Sequence, residues 1–396
     1  MSINAEKIGA AADNVMNDVI AIRRHLHQFP ELSGDERNSA AYLSDHCRKL
    51  GCSVQEHIGG HGLLARLNGA ESGNTVLLRA DMDALPIKDG KQCDYSSTLD
   101  GVSHACGHDA HSAMLVGTLM LLKELNHLPN SIAALFQPAE EITEGAAAMI
   151  RDGVLEGLNA SRAYALHVYP HLPAGSIGIR TGAMCAAADM FEVEVIGHGG
   201  HAARPHECID VILVASHIIQ ALHHIISRRI DPMHPAVLTI GQINAGHAAN
   251  VIPDRVQFSG TIRSLDSNSH EEIRTRMDHI IRQTAETWGA TASFVMRHAT
   301  PMLTNDAGII AGVRGTLSTL ASDIQLIEIN EPSMGGEDFA EFLQYVPGCL
   351  LRLGTGSGPA TRYPLHHACF DIDEAAMRSG IIAMASLCLT QSVNRT

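Results

Sequence analysis

No uninterrupted apolar run in this chain approaches the ~18 residues that a membrane-spanning helix needs. The best stretch, 211–226, is broken by Ser216, His217, Gln220, His223 and His224, so no membrane contact is expected. The opening residues, MSINAEKIGAAADNVMNDVI, lack a basic patch followed by an apolar core, and no signal peptide is expected. Positive charge is scarce: 28 Lys and Arg face 43 Asp and Glu, for a formal net charge of −15. Phosphate backbones are bound by basic faces, so this balance argues against nucleic acid as a main partner. The nine cysteines are an odd number scattered from Cys47 to Cys388, not the dense framework of a secreted disulfide scaffold. The expectation is a soluble protein of a reducing compartment, the cytoplasm. There is no Gly-x-Ser-x-Gly elbow, which weakens a serine hydrolase reading. No internal repeat or low-complexity segment is present.

What is abundant is histidine, 24 of 396 residues. Histidine is the commonest metal ligand and titrates near neutral pH. Hydrophobic residues make up 45% of the chain, ordinary for a globular protein. At roughly 150 residues per domain, this length suits two domains or one with an insertion.

Helical spacing runs over 5–26 and again over 35–50, with Gly51 placed as a cap. Short apolar runs at 62–67, 75–79, 131–136 and 163–168 read as strands, and 111–125 and 144–153 read as helices. Strands alternating with helices predict an α/β fold around a central, partly parallel sheet. Near Met190 the texture changes. The order becomes strand 191–196, helix 208–228, strands 236–240 and 256–263, helix 270–287 and strand 291–298. That is the split βαβ, ferredoxin-like order of a small α+β sandwich, which can fold as an inserted domain. The predicted division is 188–298 for the insertion, with 1–187 and 299–396 forming one discontinuous domain.

Five segments carry chemistry. His104-Ala105-Cys106-Gly107-His108-Asp109-Ala110-His111 packs three His, one Cys and one Asp into eight residues. In an extended chain, residues two apart face the same way, so Cys106 and His108 can point at one ion, with Gly107 permitting close approach. Thiolate and imidazole both suit zinc-type ions, and Cys106 reads as ligand rather than nucleophile. Asp109 is placed to orient a ligating imidazole. In the second segment, Glu140 and Glu141 follow directly on the apolar strand that ends at Phe136. Adjacent residues point apart, so one carboxylate can bind metal while the other holds an attacking water. The plainer reading is a charge pair at a helix N-terminus. His167 closes another strand, and His366-His367 stand near the C-terminus; lone histidines of this kind are ordinarily packing residues. Finally, 197–206 is a Gly/His-rich loop without the Lys-Ser/Thr of a phosphate-binding loop. It suits a histidine that reaches across a cleft.

Taken in order, these segments resemble the aminoacylase/hippurate-hydrolase family of di-metal amidohydrolases, with zinc-peptidase-like catalytic domains. The resemblance also takes in 24–32, Arg79-Ala80-Asp81-Met82-Asp83-Ala84-Leu85-Pro86, 250–254 and Gly335-Gly336-Glu337-Asp338-Phe339, and so spans nearly the whole chain. It implies that Cys106, His108, Glu141, His167 and His366 hold two divalent ions, for which Zn, Mn, Co and Ni all suit. It makes Glu140 the general base and His201 an oxyanion-stabilising histidine that reaches a neighbouring subunit's site. Asn250 and Arg263 would hold a substrate carboxylate, and the insertion would be a lid and dimerisation domain of a homodimer or dimer-based tetramer. The implied reaction is hydrolysis of N-acyl amino acids to a carboxylic acid and a free amino acid. A dipeptidase or carboxypeptidase of the same architecture, and a metal-binding paralogue without catalysis, are the alternatives.

Overall fold

The structure, a computed structural model, describes residues 3–69 and 74–390. The chain divides into two compact units. One comprises Met1–Met184, Thr304–Glu331 and Asp338–Thr396; the other comprises Cys185–Leu303 and Pro332–Glu337.

The first unit is built on an eight-stranded mixed sheet. Its strands lie in the order Ser53–Ile58, Gly62–Leu67, Ser131–Gln137, Thr75–Asp81, Ala160–Pro173, Gly348–Gly356, Ile177–Ile179 and Leu326–Glu328. The four in the middle, from Ser131–Gln137 to Gly348–Gly356, run parallel to one another. Their sequences are near-continuous apolar runs because both faces are covered. From Val76 to Asp81 and from Ile132 to Gln137 every residue is buried. Sites in such sheets form beyond the carboxyl ends of the strands, and those ends here are Asp81, Gln137 and the region after His167.

Three helices pack together beside this sheet: Ala5–Gln28, His108–Leu125 and Ala376–Leu389. Asn4 caps the first by accepting from the Lys7 N–H at 3.1 Å. Gly117 lets the three approach closely: a Cβ there would lie 2.5 Å from Val19 Cγ2 and 2.8 Å from Ile381 Cδ1.

In the second unit a four-stranded antiparallel sheet has the order Ala236–Ala245, Arg255–Ser264, Ala187–Ile196 and Thr291–Thr300. Helices Val211–Arg228 and Ser267–Thr287 contribute Val214, Ile218, Leu222, Ile273, Met277 and Ile281 to one core with Phe191, Val193 and Val195 of the sheet. Val211–Arg228 is the one helix among the described residues long and apolar enough to cross a membrane. It is amphipathic and buries Val211, Val214, Ala215, Ile218, Leu222 and Ile225.

Boundaries moved where local capping overrode periodicity. The helix expected from 208 starts at Val211, because Asp210 accepts from the Leu213 N–H. The one expected from 270 starts at Ser267, behind the Asp266 cap. The strand expected over 163–168 extends over Ala160–Pro173, and its sheet partners run beyond the apolar run. Edge strand Ser53–Ile58 escaped the sequence reading because SVQEHI is mostly polar.

Candidate metal centre

Cys106 and His108 converge, but not from an extended segment. Helix His108–Leu125 begins at His108, three residues before the expected start, and Gly107 is its N-cap with φ +89°. That left-handed turn, open to glycine, brings the thiol and the imidazole together. A Cβ at Gly107 would also meet Val168 Cγ2 at 2.5 Å.

Donor atoms of Cys106, His108 and His167 lie within 4.8 Å of one another. So do those of Cys106, Glu141 and His366, and those of His108, Glu140 and Glu141. Cys106 is thus common to two sets and His108 to two. All six residues belong to the first unit.

Hydrogen bonds fix which ring nitrogens face inward. His108 Nδ1 donates to Asp83 Oδ1 at 3.0 Å, which turns Nε2 inward. His167 Nδ1 donates to the Val168 carbonyl at 2.7 Å, and its Nε2 stands 3.6 Å from Cys106 Sγ. Among the described residues the buried His108 Nε2 has no hydrogen-bond partner; it lies 3.8 Å from Glu141 Oε1 and 3.9 Å from Glu140 Oε2. Glu141 Oε1 is likewise buried and unpartnered among the described residues. A buried imidazole nitrogen and a carboxylate oxygen facing each other with no hydrogen bond between them are what a cation joins.

The electrostatics agree. Burial pushes the Cys106 thiol well above its ordinary pKa, and the Glu141 carboxylate raises it further. Burial also raises Glu141. Both anionic forms are disfavoured by burial, and a bound cation is what would favour them. Burial and the neighbouring His111 hold His167 well below the ordinary range, so it stays neutral and able to ligate.

His366 Nε2 is 3.5 Å from Glu141 Oε2. Its backbone has φ +66°, and its N–H donates to the Ala105 carbonyl at 2.8 Å. His367 turns elsewhere: its ring stacks on Tyr363 and its Nδ1 accepts from the Cys369 N–H. The helix-terminus reading of the two glutamates does not hold, since the helix after them starts at Gly145 with Glu144 as N-cap. Glu140 and Glu141 sit instead in a tight turn that begins at Ala139, with φ +53°.

One expectation is corrected. Asp109 does not orient a ligating imidazole. It accepts from His27 Nδ1 at 2.7 Å and from Arg23 Nε at 2.9 Å, inside a buried network with Asp371 and Glu374. Asp83 orients His108 and also accepts from the Glu141 N–H at 3.0 Å and the Ser33 hydroxyl at 2.7 Å. His111 is not a free donor either: Nδ1 donates to Asp81 and Nε2 accepts from the Val168 N–H. His104 is buried, and that burial holds its imidazole down to about 3. The two aspartates follow the apolar strand at Asp81 and Asp83, a spacing that puts both on one side of an extended chain. That spacing is the sequence signal for Asp83.

His201, Asn250 and Arg263 all lie in the second unit. His201 pairs with Val251 in a short two-stranded ladder, and the Asn250 carbonyl accepts from the Ala202 N–H. His201 Nδ1 accepts from the Ala203 N–H at 3.2 Å, which leaves its proton on the outward Nε2. Arg263 Nη1 donates to the Met334 carbonyl at 3.0 Å.

Residues 77–390 match the sequence profile of peptidase family M20/M25/M40. An N-acetyl-L-cysteine deacetylase of Bacillus subtilis is 39% identical over 378 residues, which is 95% of this chain and 88% of the relative. The thermostable carboxypeptidase 1 of Saccharolobus solfataricus is 36% identical over 388 residues, 96% of this chain and 97% of its own. Among solved structures, the Bacillus subtilis YXEP protein, a dinuclear metal binding peptidase from the M20 family, matches with a TM-score of 0.81 and 31% identity. That match covers 95% of this chain and 98% of the other.

Proposed function

The chain belongs to peptidase family M20/M25/M40, and from that membership and its donor set we propose a metal-dependent amidohydrolase that cleaves N-acyl amino acids. The observation that carries this reading is the buried His108 Nε2, without a hydrogen-bond partner among the described residues, facing Glu140 and Glu141 beside Cys106. Cys106, His108, Glu141, His167 and His366 would hold two divalent cations. Such ions, when bound, polarise the scissile carbonyl and lower the pKa of water.

The residues of the chain do the rest. Glu140, buried at the mouth of the turn, takes a proton from the attacking water and returns it to the leaving amine. Its neighbour Glu141 points at His366, so the two carboxylates do separate work. His201, with its proton on Nε2, is suited to stabilise the developing oxyanion. Asn250 and Arg263 hold the carboxylate of the amino acid product. We place the second unit as a lid that pairs with a second copy, so that a homodimer or dimer-based tetramer in the cytoplasm is the working form. Acylated amino acids of the aminoacylase and hippurate-hydrolase type are the proposed substrates.

The test is amino acid release from a panel of N-acetyl and N-benzoyl amino acids and dipeptides, after loading with Mn or Zn, with a chelator control. Chelator-sensitive release from the acylated substrates is expected. Release from dipeptides alone would replace this reading with a peptidase, which the similarity to a carboxypeptidase keeps in view.

A further inference from the structure

Glu36 has no place in the chemistry above, yet its side chain is wholly buried. One oxygen, Oε1, accepts from the Gly34 N–H at 2.9 Å and from the Ala139 N–H at 2.8 Å. The other, Oε2, has no hydrogen-bond partner among the described residues. Burying a carboxylate this way is costly, and of the two peptide groups it holds, Gly34 is a near neighbour while Ala139 lies 103 residues away.

That peptide group is a special one. Ala139 has φ +53°, a conformation that side-chain-bearing residues rarely adopt. The turn it opens is tight throughout. Glu144 and Gly145 both donate to the Ala139 carbonyl, and a Cβ on Gly145 would collide with the Pro138 carbonyl oxygen at 1.6 Å. Immediately after Ala139 come Glu140 and Glu141, two adjacent carboxylates that must point to different places.

The same loop reaches the site a second way. Ser33 donates to Asp83 Oδ2 at 2.7 Å, and Asp83 holds both His108 Nδ1 and the Glu141 N–H. Residues 33–36 therefore grip the turn from both ends: Ser33 through Asp83 at Glu141, and Glu36 directly at Ala139.

We infer that Glu36 is a positioning residue for the hydrolysis, holding the Ala139 N–H so that the left-handed turn aims Glu140 at the water and Glu141 at the metal centre. This rests on the amidohydrolase reading, so the test carries one readout that needs no substrate. Glu36→Ala and Glu36→Gln are compared with the unaltered protein, each loaded with Co(II). Three things are measured: kcat and KM for chelator-sensitive amino acid release, the Co(II) d–d absorption, and the melting temperature.

A misplacement of about 1 Å costs ~10²-fold in rate. Glu36→Ala is expected to lose about that much kcat with KM nearly unchanged, and to alter the Co(II) spectrum. Glu36→Gln keeps an oxygen acceptor for Ala139 and is expected to restore most of the rate and the native spectrum. Unchanged kcat and an unchanged spectrum in Glu36→Ala would overturn the inference. So would equal losses in both variants with equally lowered melting temperatures, since that is the pattern of a merely structural group. If the unaltered protein releases nothing from any substrate, the amidohydrolase reading fails, and the Co(II) spectra still decide whether Glu36 aligns Glu141.

Discussion

His108 Nδ1 lies 3.0 Å from Asp83 Oδ1, and both side chains are fully buried. This pairing puts a proton on Nδ1 and turns Nε2 toward Glu140 and Glu141, the position from which it would bind a metal. Removing such a partner typically costs 10–100-fold in metal affinity. Asp83→Ala is therefore expected to weaken metal binding by about that factor, measured by competition against a chromophoric chelator. Unchanged affinity would mean that His108 is oriented by other contacts.

Glu140→Ala separates chemistry from metal binding. Loss of a general base typically lowers the rate by 10²–10⁴-fold. Turnover should fall at least that far while two metals per chain remain by elemental analysis. Full activity in this variant would sink the mechanism.

Gly107→Ala tests the left-handed link between Cys106 and His108. The added Cβ meets Val168 Cγ2 at 2.5 Å, and φ +89° strains any side chain. A strained position of this type costs about 1–3 kcal/mol. Stability by urea unfolding should drop by that amount, and metal stoichiometry should fall with it. Gly117→Ala is the control. It crowds Val19 and Ile381 in the helix layer, so it should cost a similar amount of stability and leave kcat of the folded protein unaltered.

The Arg23 network predicts acid sensitivity. Arg23 is buried and donates to Asp109, Asp371 and Glu374. Burial pushes Asp371 up, but the Arg23 charge and the hydrogen bonds from Arg23, the Ile372 N–H and Tyr95 together outweigh it and hold the carboxyl below the ordinary range. Asp109 is depressed well below that range in the same way. A depressed folded-state pKa contributes stability above the unfolded value, near 3.9, that is lost as pH falls through the folded value. Asp371→Asn should lower stability near pH 7 by about 1–3 kcal/mol and flatten the decline below pH 4. An unchanged acid limb in denaturant titrations would show that Asp371 is not part of the transition.

Mixed subunits test His201. If it serves the partner's site, neither His201→Ala nor Glu140→Ala protein is active alone, but subunit exchange creates sites holding both residues. Activity appearing on mixing is the expected result. Sedimentation as a monomer with full activity at micromolar concentration would refute the cross-subunit role.

Much of this protein was legible as local pattern. The split βαβ order of the second unit could be read because alternation and helical spacing repeat within a few residues, as in FEVEVI of strand Ala187–Ile196. The donor types around Cys106 were legible for the same reason: they crowd into eight residues. Chemistry of residue type and short spacing is a property of the chain itself.

Tertiary structure decided the partners. Asp109 sits next to His108 in sequence but bonds to His27 and Arg23, 82 and 86 residues away. Asp83, not Asp109, bonds to His108 because strand Thr75–Asp81 is central and parallel to its neighbours, which sets its end beside the start of helix His108–Leu125. That His366 rather than His367 faces Glu141 follows from a positive φ and from the stacking of His367 on Tyr363, neither visible in the dipeptide. Glu36 finds Ala139 across 103 residues. Which side chain holds which ligand depends on strand order and on a few left-handed turns, and those are settled only when the whole core packs.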